Sequence, residues 1–242
     1  MSKYFINIFF IIIASLPLSS QNQEKTNSND SLVGFNQKYG IRVGFDLSRL
    51  GRTIFDSYYN GFEINADYRI SKRLYIAGEL GFENKETDSD YLNSKASGSY
   101  FKAGVDFNLY NNWVGMENLI ISGFRIGVSS FNQDRQEYKI YDAYNQTWGE
   151  VQNQENLEFS GLASSWIELL FGVKTEIINN LFLSFNVQLK VRLTETNPNN
   201  FENIFIPGFG RTYDSTKIGT GINYSISYLI PIFKKKSVIN SN

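Results

Sequence analysis

The chain has 242 residues, with 23 Lys+Arg against 24 Asp+Glu, and neither cysteine nor histidine. The balanced charge lacks the basic footprint of a nucleic-acid binder. Without cysteine there is no disulfide frame, no thiolate metal site and no lipid-bearing N-terminal Cys; without histidine, imidazole acid–base catalysis and imidazole metal ligation are excluded. The length suits one domain, and an aromatic content of 16%, mostly Tyr and Phe, leans towards strands.

The N-terminus reads "MSKYFINIFFIIIASLPLSSQ". Lys3, an apolar stretch from Tyr4 to Ala14 and the small residues Ser19 and Ser20 form the pattern of a secretory signal peptide over residues 1–20, too short to span a bilayer. No later segment offers the roughly 18 consecutive apolar residues of a spanning helix. An exported protein is therefore expected, and any membrane contact must come through strands. Residues 21–37, polar and rich in Asn and Ser, read as a flexible periplasmic leader.

From there a period-two pattern recurs in eight segments. "YGIRVGFDL" sets Tyr39, Ile41, Val43, Phe45 and Leu47 against Arg42 and Asp46. "GFEINADYRI" sets Phe62, Ile64, Ala66, Tyr68 and Ile70 against Glu63, Asn65, Asp67 and Arg69. "LYIAGELGFEN" and "SYFKAGVDFNLY" follow, then the less regular "LIISGFRIGVSSF", in which Ile121 breaks phase. "WIELLFGVKTEI", "LFLSFNVQLKVRL" and "IGTGINYSISYLIPIF" complete the set. Connections alternate in length. Residues 48–60, 85–96, 132–164 and 194–217 are long; 71–73, 111–118 and the turn ending at Asn180 are short. Long loops at one end and short turns at the other mark a transmembrane barrel.

Alternation by itself does not say which face points inward, since a soluble barrel alternates too. Two features decide it. Most strand glycines share parity with the charged residues, and only the crowded concave side of an eight-stranded barrel needs such small residues. The charges of that parity also nearly cancel: Arg42, Arg69, Lys102, Arg125, Lys174, Lys190 and Arg192 against Asp46, Glu63, Asp67, Glu79, Glu83, Asp106, Glu168 and Glu176. Buried charges must be paired, whereas a solvated face need not be balanced. The expected fold is all-β, an eight-stranded antiparallel up-and-down transmembrane β-barrel over residues 38–236 with a polar, charge-paired lumen. Its outer face is a lipid-facing band of Leu, Ile, Val and Phe. Tyr39, Tyr68, Tyr110, Trp113 and Tyr228 fall near the short-turn end as an aromatic girdle. Both chain ends and the short turns then lie in the periplasm, the long loops outside, and the location is the cell outer membrane. Pro231 lacks an N–H and fits where pairing ends; residues 237–242 read as a tail.

"YGIRVGFDLSR", "GFEINADYRISKRLYIAGELG", "GMEN", "IPGFGRTYD" and "ISYLIPIFKKK" resemble an uncharacterised Bacteroidota family, domain of unknown function 6048, over about residues 39–236. That resemblance implies an exported outer-membrane β-barrel and supplies no catalytic residue. Strand number and loop polarity also loosely resemble the outer-membrane protein X type of small barrel, a likeness of fold that does not transfer function. The aromatic finish at Phe233 resembles the terminal signal read by outer-membrane assembly machinery, although "KKKSVINSN" follows it.

Candidate chemistry is sparse. Glu63 with Asp67, or Glu79 with Glu83, lie on one strand face and suit acid–base work or Ca²⁺ ligation in principle, but a packed salt-bridge network explains them more simply. Small-barrel lipid A acylases and deacylases rest on histidine, which is missing here. "GFGRTYD" has spaced glycines without the strand-to-helix context of a phosphate loop; "NQT" at Asn145–Thr147 is a glycosylation sequon, weak in a bacterial loop; Lys234–Lys236 is a basic run suited to a solvated tail or to anionic headgroups. No catalytic, metal or cofactor residue is assigned. Residues 132–164 keep partial alternation and read as a projecting hairpin. Its Tyr138, Tyr141, Tyr144 and Trp148 are candidates for loop binding, because strand edges and clustered aromatics favour interfaces; packing on their own loop explains them equally. Residues 194–217 are expected to fold across neighbouring loops. The reading that follows is a non-enzymatic, structural or interaction component of a membrane assembly. Its partners are outer-membrane lipid, the barrel assembly machinery during biogenesis and a protein docked at the loops. A narrow, porin-like channel or small-ligand carrier is the second reading and a carboxylate-based enzyme the third.

Overall fold

The computed structural model describes residues 35–110, 117–139, 152–153 and 156–237. The signal segment, most of the leader, Trp113, Tyr141, Tyr144, Trp148 and the tail beyond residue 237 lie outside the described residues. In chain order the elements are β1 (Phe35–Asp46), α1 (Leu47–Phe55), β2 (Tyr59–Arg69), β3 (Leu74–Asp88), β4 (Leu92–Asn108), β5 (Leu119–Lys139), β6 (Gln152–Asn153), β7 (Leu157–Ile178), β8 (Leu181–Glu195), β9 (Phe205–Ile206), β10 (Gly210–Arg211) and β11 (Ile218–Ser237).

Eight long strands close into an antiparallel ring. Each pairs with the next long strand in the chain, β5 with β7 and β8 with β11 included, and β11 returns to β1. Closure leaves no sheet edge along the paired lengths, which is what lets strands cross hydrocarbon with every backbone group bonded. No described helix is long and apolar enough to cross a membrane.

The two parities of each strand separate cleanly. On β8, Phe182, Ser184, Gln188, Lys190 and Arg192 are buried inside, while Phe185, Val187, Leu189 and Leu193 are exposed on the wall. The same exposed band continues through Ile64, Leu80, Phe101, Ile126, Phe171 and Ile222. A contiguous apolar belt of this extent is tolerable only against lipid. Tyr68 and Tyr228 are exposed at the short-turn end, as a girdle requires, and Tyr110 there is half-buried.

Several expectations are corrected. Tyr39 is not part of the outer girdle. A bulge between Tyr39 and Gly40 breaks the alternation, and Tyr39 is buried beneath the Arg69 guanidinium, with its ring stacked on Phe233. Pro231 does not end pairing; it sits opposite Gly40 at that bulge, and the ladder runs on to Phe35 opposite Ser237. Bulges are where a strand absorbs a residue without an N–H. The barrel thus reaches back to residue 35 and on to residue 237, because pairing of first and last strands continues irrespective of local polarity. The expected long connection at 85–96 is mostly strand: β3 and β4 pair as far as Asp88 opposite Asn93, leaving a turn at 89–91. Ile121, out of phase by pattern, is turned inward and packs with Tyr75, Leu119 and Leu170.

The first long connection contains α1. Asp46 caps it, accepting a hydrogen bond from Ser48 N at 2.7 Å, as Asp does best at an N-cap. At the far end Asp56 N–H closes the helix on Arg52 O at 2.8 Å. Asn180, with φ +67°, makes the tight turn between β7 and β8, a conformation Asn tolerates better than most residues.

Candidate functional site

The lumen is the candidate site, and it is built of ion pairs and aromatic rings in tiers. Nearest the short turns, Asp67 receives Arg42 Nε at 2.7 Å and Lys174 Nζ at 2.6 Å. Arg69 reaches Glu117 at 3.3 Å. The Arg42 guanidinium lies over the rings of Tyr75 and Phe182, 4.8 and 5.0 Å from their centroids. Glu176 is only half-buried at this rim, where Lys38 bonds it at 3.1 Å.

In the middle tier Lys102, wholly buried, has Glu79, Glu63 and Glu168 within 2.5, 3.3 and 3.8 Å of Nζ. None of these contacts is aligned as a hydrogen bond, so the ammonium is held by charge and closeness. Arg125 bridges Glu79 and Asp106 at 3.3 and 2.7 Å. Neutral donors reach further carboxylate oxygens: Tyr100 Oη and Asn223 Nδ2 donate to Glu63, and Trp166 Nε1 donates to Glu168 at 2.6 Å. Each member of the two pairs weighed for acid–base or Ca²⁺ chemistry has at least one donor of its own, Arg42 and Lys174 on Asp67, Arg125 on Glu79, and Arg49, Tyr59 and Gly208 on Glu83. A void of about 30 Å³ remains between Asp67, Glu79, Arg125 and Lys174, room for about two waters.

The outer tier was not legible as a site. Arg49, from α1, points into the barrel and pairs with Glu83, Glu63 and Asp46. Opposite it, residues 205–209 do not lie across the other loops but drop into the mouth as a plug. Ile206 and Phe209 are buried, Phe209 meets the Trp166 ring edge-on at 6.0 Å, Gly208 N–H donates to Glu83 at 2.6 Å, and Lys190 Nζ donates to Gly208 O at 2.7 Å. Gly208 has φ +82°, and a Cβ there would fall 2.5 Å from the Tyr100 ring; only glycine permits this approach. Arg192 pairs with Glu195 beside the plug at 3.1 Å.

Inward aromatics make the packing work. Tyr100 lies opposite Gly81 and Trp166 opposite Gly127 on neighbouring strands, each ring filling the place of the missing side chain. Tyr59, Tyr75, Tyr100, Trp166 and Phe182 all carry the parity of the charges, and this was the available signal for them. Arg49 had none beyond its place in a helix. Of the loop aromatics, Tyr138 is described: near the tip of β5, its ring faces the Arg135 guanidinium at 4.5 Å.

A family model matches residues 1–235. The chain belongs to the family described as Domain of unknown function (DUF6048). No curated protein matches it. Among solved structures it is similar to Ail, the attachment invasion locus protein of Yersinia pestis, at 10% identity and a TM-score of 0.41, over 79% of this chain and 97% of that one.

Proposed function

We propose that the protein is a plugged, non-enzymatic barrel of the outer membrane, exported by residues 1–20, which docks a protein partner through strand ribbons projecting outside. The observation that carries this reading is the filled lumen. Ion pairs, inward rings and the 205–209 plug occupy the space a solute would need, so function is left to the exterior. A transmembrane strand needs about 9–11 residues, yet β5 and β7 have 21 and 22. Their outer halves, Gln133–Arg135 against Leu157–Phe159 and Tyr138 against Asn153, stand clear of the apolar belt. β4 covers the other side of β5 as far as Leu92 opposite Tyr138, which leaves the edge of β7 before Ser164, where its pairing with β8 ends, as the one that can accept a partner strand. The absence of Cys and His, together with lumenal carboxylates that are ion-paired in the core, supports the non-enzymatic part.

The test is affinity purification of the tagged full chain from native membranes, beside a variant with residues 134–157 replaced by a short turn. A stoichiometric partner recovered with the first and lost with the second is expected. Recovery of the barrel alone from both defeats the docking reading, and steady single-channel conductance of the intact barrel would favour the channel instead.

A further inference from the structure

The barrel wall is incomplete on one side. β1 stops at Asp46, opposite Ser225 of β11, and its last partner on β2 is Ile64. Yet β2 begins at Tyr59 and β11 at Ile218. Between residues 59–63 and residues 218–224 no strand is present. Strands flanking a missing neighbour stand about 10 Å apart, close to the diameter of an α-helix with its side chains, and α1 occupies that slot. Among the described residues its backbone-directed bond to the wall is on the β2 side. Thr53 Oγ accepts from Gly61 N–H at 2.9 Å, in place of the missing ladder on β2, and its hydroxyl proton lies between Arg49 O at 3.0 Å and Gly61 O at 3.2 Å.

Towards β11 the helix leaves a cavity of about 360 Å³, within the range of small-ligand sites. Its walls include the inward-pointing Gln188, Lys190 and Phe209, but also Arg52, Thr220 and Ile222, which are exposed on the outside. The cavity therefore passes through the wall. It opens within the apolar belt, where Leu189 lies opposite Thr220 and Ile218 two residues before it, both exposed. On the helix, Ile54 and Phe55 are 76% and 89% exposed, a costly display in water but not against lipid. Glu83, the carboxylate in the cavity, is already taken by Arg49, Tyr59 and Gly208. Arg52 is the exposed cation of the lining, its guanidinium over the Tyr59 ring at 4.0 Å and 3.4 Å from Asp56.

The geometry points to a bound lipid. An anionic phospholipid of the surrounding leaflet inserts between α1 and β11, its acyl chain against Phe209 and Ile222 and its phosphate on Arg52. Continuity with the lipid-facing belt selects a lipid over a soluble ligand, and the arginine at the mouth selects the anionic kind. The inference rests on the membrane-spanning reading. A chain soluble without detergent would remove that reading, whereas a barrel that needs detergent and holds no lipid removes only this one.

The experiment is native mass spectrometry of the detergent-purified full chain offered equal phosphatidylglycerol and phosphatidylcholine. Retention of about one phosphatidylglycerol per chain is expected, favoured about fivefold over phosphatidylcholine, the effect of one cation beside an anionic headgroup. Thr220→Trp, which covers the cavity's outer opening, should abolish retention with the unfolding midpoint unchanged. Arg52→Gln should reduce phosphatidylglycerol to the level of phosphatidylcholine, and this variant decides the matter if Thr220→Trp fails to fold. Equal retention of both lipids by the wild type, or retention unaltered in both variants, overturns the inference. So does photo-crosslinking from position 222 to a protein strand in place of lipid.

Discussion

Lys102 shows what holds the lumen at the scale of single residues. Three carboxylates converge on one ammonium that water does not reach. Removing one member of a buried charge cluster leaves its partners uncompensated, a cost of about 3–5 kcal/mol. Lys102→Met, similar in size but neutral, should therefore lose about that much stability in denaturant unfolding of the micelle-bound barrel, read by tryptophan fluorescence. In the outer loop two carboxylates come together. The closeness of Asp214 raises the Glu202 carboxyl above the ordinary range. A group raised in the folded state stabilises it fully below its unfolded pKa, and that contribution fades as pH rises through the folded value. Amide exchange across residues 202–214, corrected for intrinsic rate, should be slower in mild acid than at neutral pH, and Asp214→Asn should flatten the difference.

Among the elements, α1 depends most on its surroundings. Nine residues with Gly51 near the centre would not hold a helix in water; it persists because Asp46 caps it, Arg49 is anchored inside and Thr53 satisfies Gly61. Thr53→Val would leave the Gly61 N–H without its acceptor in a desolvated wall, costing about 1–3 kcal/mol. Denaturant unfolding checks the magnitude, and faster exchange at the Gly61 amide checks the site. The helix was only partly legible: Leu47, Leu50 and Ile54 stand at i, i+3 and i+7 after an Asp, a fair amphipathic signal, yet residues 48–60 read as a loop because the run is short and interrupted. The outer ends of β3, β4, β5 and β7 escaped for a different reason. There the inward face is made of small residues, Ser94 and Ala96 being buried against the mouth, and the outward face meets water, so "TDSDYLNSKASGS" has no apolar–polar alternation to detect.

For the whole molecule, the controlling fact is the opposite polarity of wall and lumen. Nitroxide labels replacing Phe185 and Leu189 should collide with oxygen dissolved in the bilayer, whereas a label replacing Ser184, buried on the inner face of the same strand and away from the cavity beside α1, should be screened from both oxygen and aqueous relaxant. Exposure of the Ser184 label to lipid would invert the barrel and overturn the fold's account of its own charges.

Strand count, the sorting of side chains between hydrocarbon and interior, and the position of the short turns were determined by the sequence alone, because a two-residue period and the cost of charge in lipid are properties each strand carries locally. Only the tertiary structure decided which carboxylate meets which cation, that Arg49 enters from a helix standing in for half a strand, and that residues 205–209 turn down into the mouth. Those outcomes follow from stagger and unequal strand length around a closed ring, distances between residues far apart in the chain that no local pattern records.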